Sequence, residues 1–137
     1  MDSLQPVLAG LDVPDSVPRA PRRRDLRIRE LAQWAEAQLG WLARKSRADK
    51  ESDLFLYIQA AKLVEEVGEL HAELLARGKR QRQGKQADPG DVDGELADVM
   101  ICVAIIAQTL GVDLTKALQD KMQVVDDRVT RIAKPAG

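Results

Sequence analysis

The chain has 137 residues, with 21 Lys and Arg against 22 Asp and Glu, one His and one Cys. That length suits a single domain, and the net charge of −1 provides no basic field for binding nucleic acid. One Cys excludes an internal disulfide, and one His excludes a paired-His metal site within the chain. A metal site would therefore be built from carboxylates and would favour a hard ion. No signal peptide or membrane-length apolar run is evident, which predicts a cytoplasmic protein without a membrane partner.

The first 24 residues are predicted to form a flexible leader that precedes one helical domain at 25–134. Four of the six prolines fall within the first 21 residues, where they block helix interiors. A cluster of arginines follows, at Arg19, Arg22, Arg23, Arg24, Arg27 and Arg29. This basic stretch is most typical of the solvated start of a helix, and the alternative is a contact with an anionic partner.

Beyond the leader, helical periodicity replaces any strand pattern, which predicts an all-α fold. The pattern predicts four helices, at about Leu26–Leu39 ended by Gly40, from Ser52 or Asp53 to about Arg77 ended by Gly78, from near Asp91 to Leu110, and from Asp113 to Ile132. The polar segment 79–90 is predicted to be a loop. Short connections favour antiparallel neighbours, and thus an antiparallel four-helix bundle.

Two pairs of acids stand at helical spacing beside apolar stripes. Glu66 and Glu69 share one sector of the second helix, with Glu65 at its edge. Glu95 and Asp98 lie three residues apart on the third helix, on a face that continues into apolar residues. Burying unpaired carboxylates is costly, so salt bridges or a divalent cation are expected. The i, i+3 spacing lets two carboxylates on one helix share a metal, and the absence of His favours Mg²⁺ or Mn²⁺.

The two motifs, Lys62-Leu-Val-Glu-Glu-Val-Gly-Glu-Leu and Glu95-Leu-Ala-Asp-Val, together resemble the MazG-type all-α nucleoside triphosphate pyrophosphohydrolases. The resemblance covers roughly Leu54 to Arg131, and the Gly111-Val-Asp-Leu entry to the last helix also matches. Three positions depart from the family pattern, Cys102 in place of a common Tyr, Val125 in place of an Asn, and Val129 at a commonly aromatic position.

The resemblance implies hydrolysis between the α- and β-phosphates of a nucleoside triphosphate, releasing a monophosphate and pyrophosphate. Glu66, Glu69, Glu95 and Asp98 would then bind Mg²⁺, or alternatively Mn²⁺. Glu65 or Glu66 would orient or deprotonate the attacking water. The resemblance also implies a homodimer or homotetramer that completes the fold and the sites, and a house-cleaning role toward noncanonical or excess nucleotides.

Four further residues are candidates for substrate contacts. Lys62, Lys121 and Arg128 could contact phosphates, although each also suits an ordinary helix surface. Trp41 could stack on a base, although a packing role is more typical of such a residue.

Two other functions remain open. One is a phosphoribosyl-ATP pyrophosphohydrolase, which Ile101-Cys102 disfavours because those enzymes usually carry a Tyr-His pair there. The other is a non-enzymatic helical module that binds a partner through its Arg-rich segment.

Overall fold

The computed structural model describes residues 25–83 and 91–133, and these contain four helices and no strand. They are α1 (Ile28–Ser46), α2 (Asp53–Arg82), α3 (Val92–Thr109) and α4 (Leu114–Ala133). The predicted all-α class is confirmed. The leader at 1–24, which holds four of the clustered arginines, lies outside the described residues, as do 84–90 and 134–137.

Short polar side chains begin three of the four helices, as the sequence pattern predicts. The Ser52 Oγ accepts from the Phe55 N–H at 3.2 Å, and an Asp91 oxygen accepts from the Gly94 N–H at the same distance. Asp113 accepts from the Lys116 N–H at 3.0 Å. Each cap satisfies one of the backbone donors that a helix leaves open at its start.

The predicted ends of α1 and α2 are wrong, because both helices continue through a glycine. A glycine inside a helix costs about 1 kcal/mol relative to Ala. In α1 the turn after Gly40 carries Leu42, which packs against the core. The helix ends instead at Ser46, and the next residue, Arg47, caps it with a left-handed φ of 53°. In α2 strong helix formers follow Gly78, so the first part of the predicted 79–90 loop is helical.

The core lies where α3 packs against both α1 and α2. Ala35 and Ala104 are fully buried and Ile105 nearly so, and partly buried neighbours surround them, namely Leu31, Trp34, Leu39, Leu42, Ile101 and Leu114. Phe55, at the start of α2, is the largest fully buried side chain among the described residues. Because α3 is apolar over most of its length, it occupies the central position, as its sequence predicts.

The last helix does not close a bundle within this chain. The chain bends by 113° between α3 and α4, and α4 packs chiefly on α1. None of the side chains of α4 is buried. Within residues 25–83 and 91–133, no helix has by itself the length and apolarity needed to cross a membrane, and only the bent pair of α3 and α4 meets that test, by length and composition.

Candidate metal centre

Three carboxylates from two helices meet on one side of the α2–α3 pair. Glu66 and Glu69 stand one turn apart on α2, and Glu95 stands in the first turn of α3. One oxygen from each carboxylate lies within 4.8 Å of the other two. The three residues differ in burial, since Glu66 is buried, Glu95 is half-buried and Glu69 is exposed. The i, i+3 spacing on α2 thus brings oxygens of Glu66 and Glu69 close together, and α3 supplies the third oxygen.

Glu95 carries the clearest sign that the cluster needs a positive charge. Its Oε2 atom is buried and has no hydrogen-bond partner among the described residues. Burial raises the pKa of Glu95 above its ordinary value, and the nearby carboxylates of Glu69, Glu66 and Asp98 raise it further. Unpartnered buried polar atoms are rare in folded proteins. The ionised form of Glu95 therefore requires a partner that the described side chains do not provide.

A hard divalent cation fits this donor set. Three carboxylate oxygens from a rigid pair of helices match the ligands that Mg²⁺ and Mn²⁺ prefer. The described residues contribute no thiolate or imidazole to the cluster, which disfavours zinc and copper. Three protein ligands also leave coordination positions for water and for the oxygens of a bound phosphate.

Lys62 places its ammonium group beside the same acids, one turn before them on α2. Its Nζ atom lies 2.5 Å from Glu66 Oε1 and 3.2 Å from Glu65 Oε1. Hydrogen bonds to these two carboxylates, Glu66 first, raise the pKa of Lys62 above its ordinary value. Lys62 is therefore a permanent positive charge at the edge of the cluster. Glu65, in contrast to Glu66, is largely exposed.

Asp98 does not lie where the sequence pattern predicts. The pattern places both Glu95 and Asp98 on a face that enters the core, but Asp98 is exposed. It also lies outside the group of three close oxygens. It does line a cavity together with Glu66, so its carboxylate borders the cluster. The physical reason is the position of α2, whose Glu66 and Glu69 carboxylates meet Glu95 and not Asp98.

The cavity beside the acids has a volume of about 210 Å³ and is lined by α1, α2 and α3. Trp34, Trp41, Gln38 and Gln59 form much of its wall, with Lys62, Glu66 and Asp98 on the acidic side. Trp41 is partly exposed, and the Lys45 Nζ lies 5.0 Å from its ring centroid. Aromatic rings, side-chain amides and carboxylates of the acidic cluster thus line the same cavity.

The two glutamines and Trp34 were not among the predicted site residues. A signal was present, because Gln38 shares the apolar face of α1 with Leu31, Trp34 and Ala35, where helical periodicity favours a nonpolar residue. Cys102 also lines the cavity, and burial raises the pKa of its thiol, which keeps it protonated.

Lys121 and Arg128 both belong to α4 and are exposed. Because α4 packs chiefly on α1, the single chain does not bring them to the acids of α2 and α3. Of the four predicted substrate contacts, Lys62 and Trp41 therefore border the candidate site.

Comparisons with known proteins agree with this geometry. The model of the MazG nucleotide pyrophosphohydrolase domain matches residues 58–130, a range that includes all three clustered carboxylates and Asp98. No curated protein and no solved structure matches the chain. Since the match covers more than half of the chain and contains the acidic pairs on α2 and α3, the protein belongs to the MazG nucleotide pyrophosphohydrolase family.

Proposed function

We propose that this protein is a divalent-cation-dependent hydrolase that cleaves nucleoside triphosphates between the α- and β-phosphates, giving a monophosphate and pyrophosphate. The observation that carries the proposal is the trio of Glu66, Glu69 and Glu95, with its buried unpartnered oxygen, inside a matched MazG domain. House-cleaning of noncanonical or excess nucleotides in the cytoplasm is the role we assign to it.

Glu66, Glu69 and Glu95 would hold the cation, with Asp98 as a further ligand from the exposed side. Mg²⁺ is the expected ion and Mn²⁺ the expected substitute. When bound, such an ion neutralises the triphosphate and polarises a phosphoryl oxygen. The protein itself contributes a rigid placement of charge, because phosphoryl transfer depends on positioning and electrostatics more than on covalent chemistry.

The attacking water molecule would be activated by Glu65 or Glu66, the first two glutamates of the acidic motif on α2. Glu66 is buried within the cluster, and Glu65 is exposed one position earlier on α2. Both carboxylates contact Lys62, and either could accept a proton from a water molecule or orient it. We favour Glu66, because it alone is both buried and next to the other acids.

The substrate would lie across the cavity and the acids. Trp41 borders the cavity and offers an aromatic face to a base. Lys62 lines the cavity and contacts Glu66, so its ammonium group could bind a phosphate there. Lys121 and Arg128 would reach a triphosphate only from a second copy of the chain.

A second copy is expected because two apolar faces of this chain are uncovered. On α2, large side chains stand exposed along the helix at Tyr57, Val64, Val67, Leu74 and Leu75. On α4, an apolar face consists of Leu118, Met122, Val125, Val129 and Ile132. Apolar surface on this scale usually marks an interface. We propose a homodimer or homotetramer, and light scattering at micromolar concentration should show it, whereas a monomer would contradict it.

The direct test is a panel of nucleoside and deoxynucleoside triphosphates assayed for pyrophosphate release with Mg²⁺, with Mn²⁺ and with EDTA. We expect turnover of at least one substrate with either metal and none with EDTA. The Glu66→Gln variant should be inactive, while Glu36→Gln, an exposed acid on α1, should match the wild type. No turnover of any member of the panel would overturn the proposal.

A further inference from the structure

One buried side chain beside the acids lacks any partner in the protein. Gln59, on α2 two turns before Glu66, is only 8% exposed and lines the 210 Å³ cavity. Its amide makes no hydrogen bond to another residue within 25–83 and 91–133, and it is accessible to solvent. Gln38, the other buried glutamine of the cavity wall, already has an interaction of its own. Gln59 is therefore the amide that remains available to a ligand.

The amide of Gln59 is in contact with solvent, because Glu95 Oε2 is the one fully buried side-chain N or O atom without a hydrogen-bond partner within residues 25–83 and 91–133. The rest of the Gln59 side chain is enclosed, so a ligand in the cavity would take the place of the water at its amide. The amide combines a carbonyl acceptor with an N–H donor side by side, so it fits a ligand edge that presents a donor next to an acceptor.

The other walls of the cavity indicate what carries that edge. Trp34 and Trp41 provide flat aromatic surface, which suits a planar ring. The volume of about 210 Å³ lies below the range of about 300–1,000 Å³ that encloses a whole drug-sized ligand, so it suits one ring system. Glu66 and Asp98 line the same cavity, which places the rest of such a ligand toward the acids.

We infer that Gln59 is a specificity-determining residue, whose amide hydrogen-bonds to the polar edge of the nucleobase while the triphosphate lies at the carboxylate cluster. The inference rests on the proposed function, because it takes the ligand to be a nucleotide. It goes further in naming the atoms that read the base. Nucleobases with an exocyclic amino or oxo group beside a ring nitrogen carry the matching edge.

The test measures binding without turnover. Titration calorimetry would use α,β-methylene triphosphates of adenosine, guanosine, cytidine and uridine, in Mg²⁺. Two analogues that lack the exocyclic group, the purine riboside and 2-pyrimidinone triphosphates, would be measured beside adenosine and cytidine. For wild-type protein we expect the parent base that binds best to exceed its deleted analogue by about 10- to 100-fold, the effect of one lost hydrogen bond in a buried site.

The variant Gln59→Met keeps the length of the side chain but removes both polar groups of the amide. It should bind the parent base and its deleted analogue with nearly equal affinity. Gln33→Met, an exposed position on α1 away from this cavity, should behave as wild type. Circular dichroism and the melting temperature would show that both variants are folded. The loss should appear in KM and in base preference more than in kcat.

Two outcomes would overturn the inference, and both differ from failure of the proposed function. If Gln59→Met discriminates as wild type does, Gln59 does not read the base. If wild-type protein binds none of the analogues, or binds each deleted analogue as well as its parent, the cavity is not a base site. Failure of the proposed function would instead appear as nucleotide binding without pyrophosphate release by any triphosphate in the panel.

Discussion

The α2–α3 pair and α4 are opposite in packing. The pair buries the Phe55 ring, the Ile105 side chain and the Glu66 carboxylate, and it assembles oxygens from both helices. By contrast, no residue of α4 is fully buried and only its first residue, Leu114, is described as packing on the core, although the apolar residues of α4 recur at helical spacing. The comparison teaches that the carboxylate cluster forms within one chain, although the last amphipathic helix of that chain leaves its apolar face uncovered.

The largest expected effect is a change in the free energy of unfolding, and it should differ between a variant on α2 and a variant on α4. Phe55→Ala should lower the free energy of unfolding by about 3–5 kcal/mol at every protein concentration, because it empties a fully buried site. Val129→Ala, on the apolar face of α4, should act through the association of copies, so its effect should be largest where wild-type copies are associated and should disappear once dilution dissociates them. Leu54→Ala, exposed next to Phe55, is the control and should cost little. Urea unfolding at several concentrations measures all three, and a concentration-independent loss for Val129→Ala would contradict the proposed role of α4.

The second effect concerns catalysis. Glu66→Gln should reduce kcat/KM by at least about 100-fold, since losing even an outer-shell partner of a metal ligand costs about 10- to 100-fold. Glu65→Gln, at the exposed neighbouring position, should lose less, and the ratio of the two variants decides which carboxylate acts at the water. Equal losses would show that the buried position of Glu66 has no special role.

The third effect separates the two acids of α3. Glu95→Gln should weaken Mg²⁺ binding by about 10-fold or more, because it removes one of three clustered oxygens. Asp98→Asn should weaken it less, because Asp98 is exposed and lies outside that group. Titration calorimetry with Mg²⁺ alone measures both. A larger loss for Asp98→Asn would mean that the cation lies toward the cavity and not between the three glutamates.

These acids also show how far sequence reasoning reaches. The i, i+3 spacing predicted that Glu66 and Glu69 would share a face, because a single helix fixes that relation. Spacing along α3 could not predict which of Glu95 and Asp98 becomes buried, because that depends on where α2 crosses it. The same limit explains why α1 and α2 continue past Gly40 and Gly78. There the neighbouring side chains favour the helix by more than the cost of about 1 kcal/mol that a glycine adds. The bend of 113° before α4 likewise depends on the packing of α4 against α1 and leaves no trace in periodicity.

The smallest expected effect is a dependence of stability on pH in the absence of metal. The pKa of Glu95 is higher in the folded protein than its ordinary value. The folded state therefore retains a proton that the unfolded chain has released, and the free energy of unfolding falls as pH rises from the ordinary carboxyl pKa to the raised one. Glu95→Gln should remove this fall.

Urea unfolding in EDTA from about pH 4 to about pH 7 measures the slope. Adding Mg²⁺ should reverse the trend for wild type, because the cation stabilises the ionised form of Glu95, and it should not do so for Glu95→Gln. If wild-type stability in EDTA rises with pH as steeply as that of the variant, folding does not raise the pKa of Glu95.

The central claim is that the carboxylates of α2 and α3 support cleavage between the α- and β-phosphates, and ³¹P NMR of the reaction products tests it most directly. With Mg²⁺ and the best substrate of the panel, wild-type protein should produce pyrophosphate and a nucleoside monophosphate in equal amounts, and Glu66→Gln should produce neither. Orthophosphate with a nucleoside diphosphate as the products, or wild-type yields from Glu66→Gln, would contradict the account.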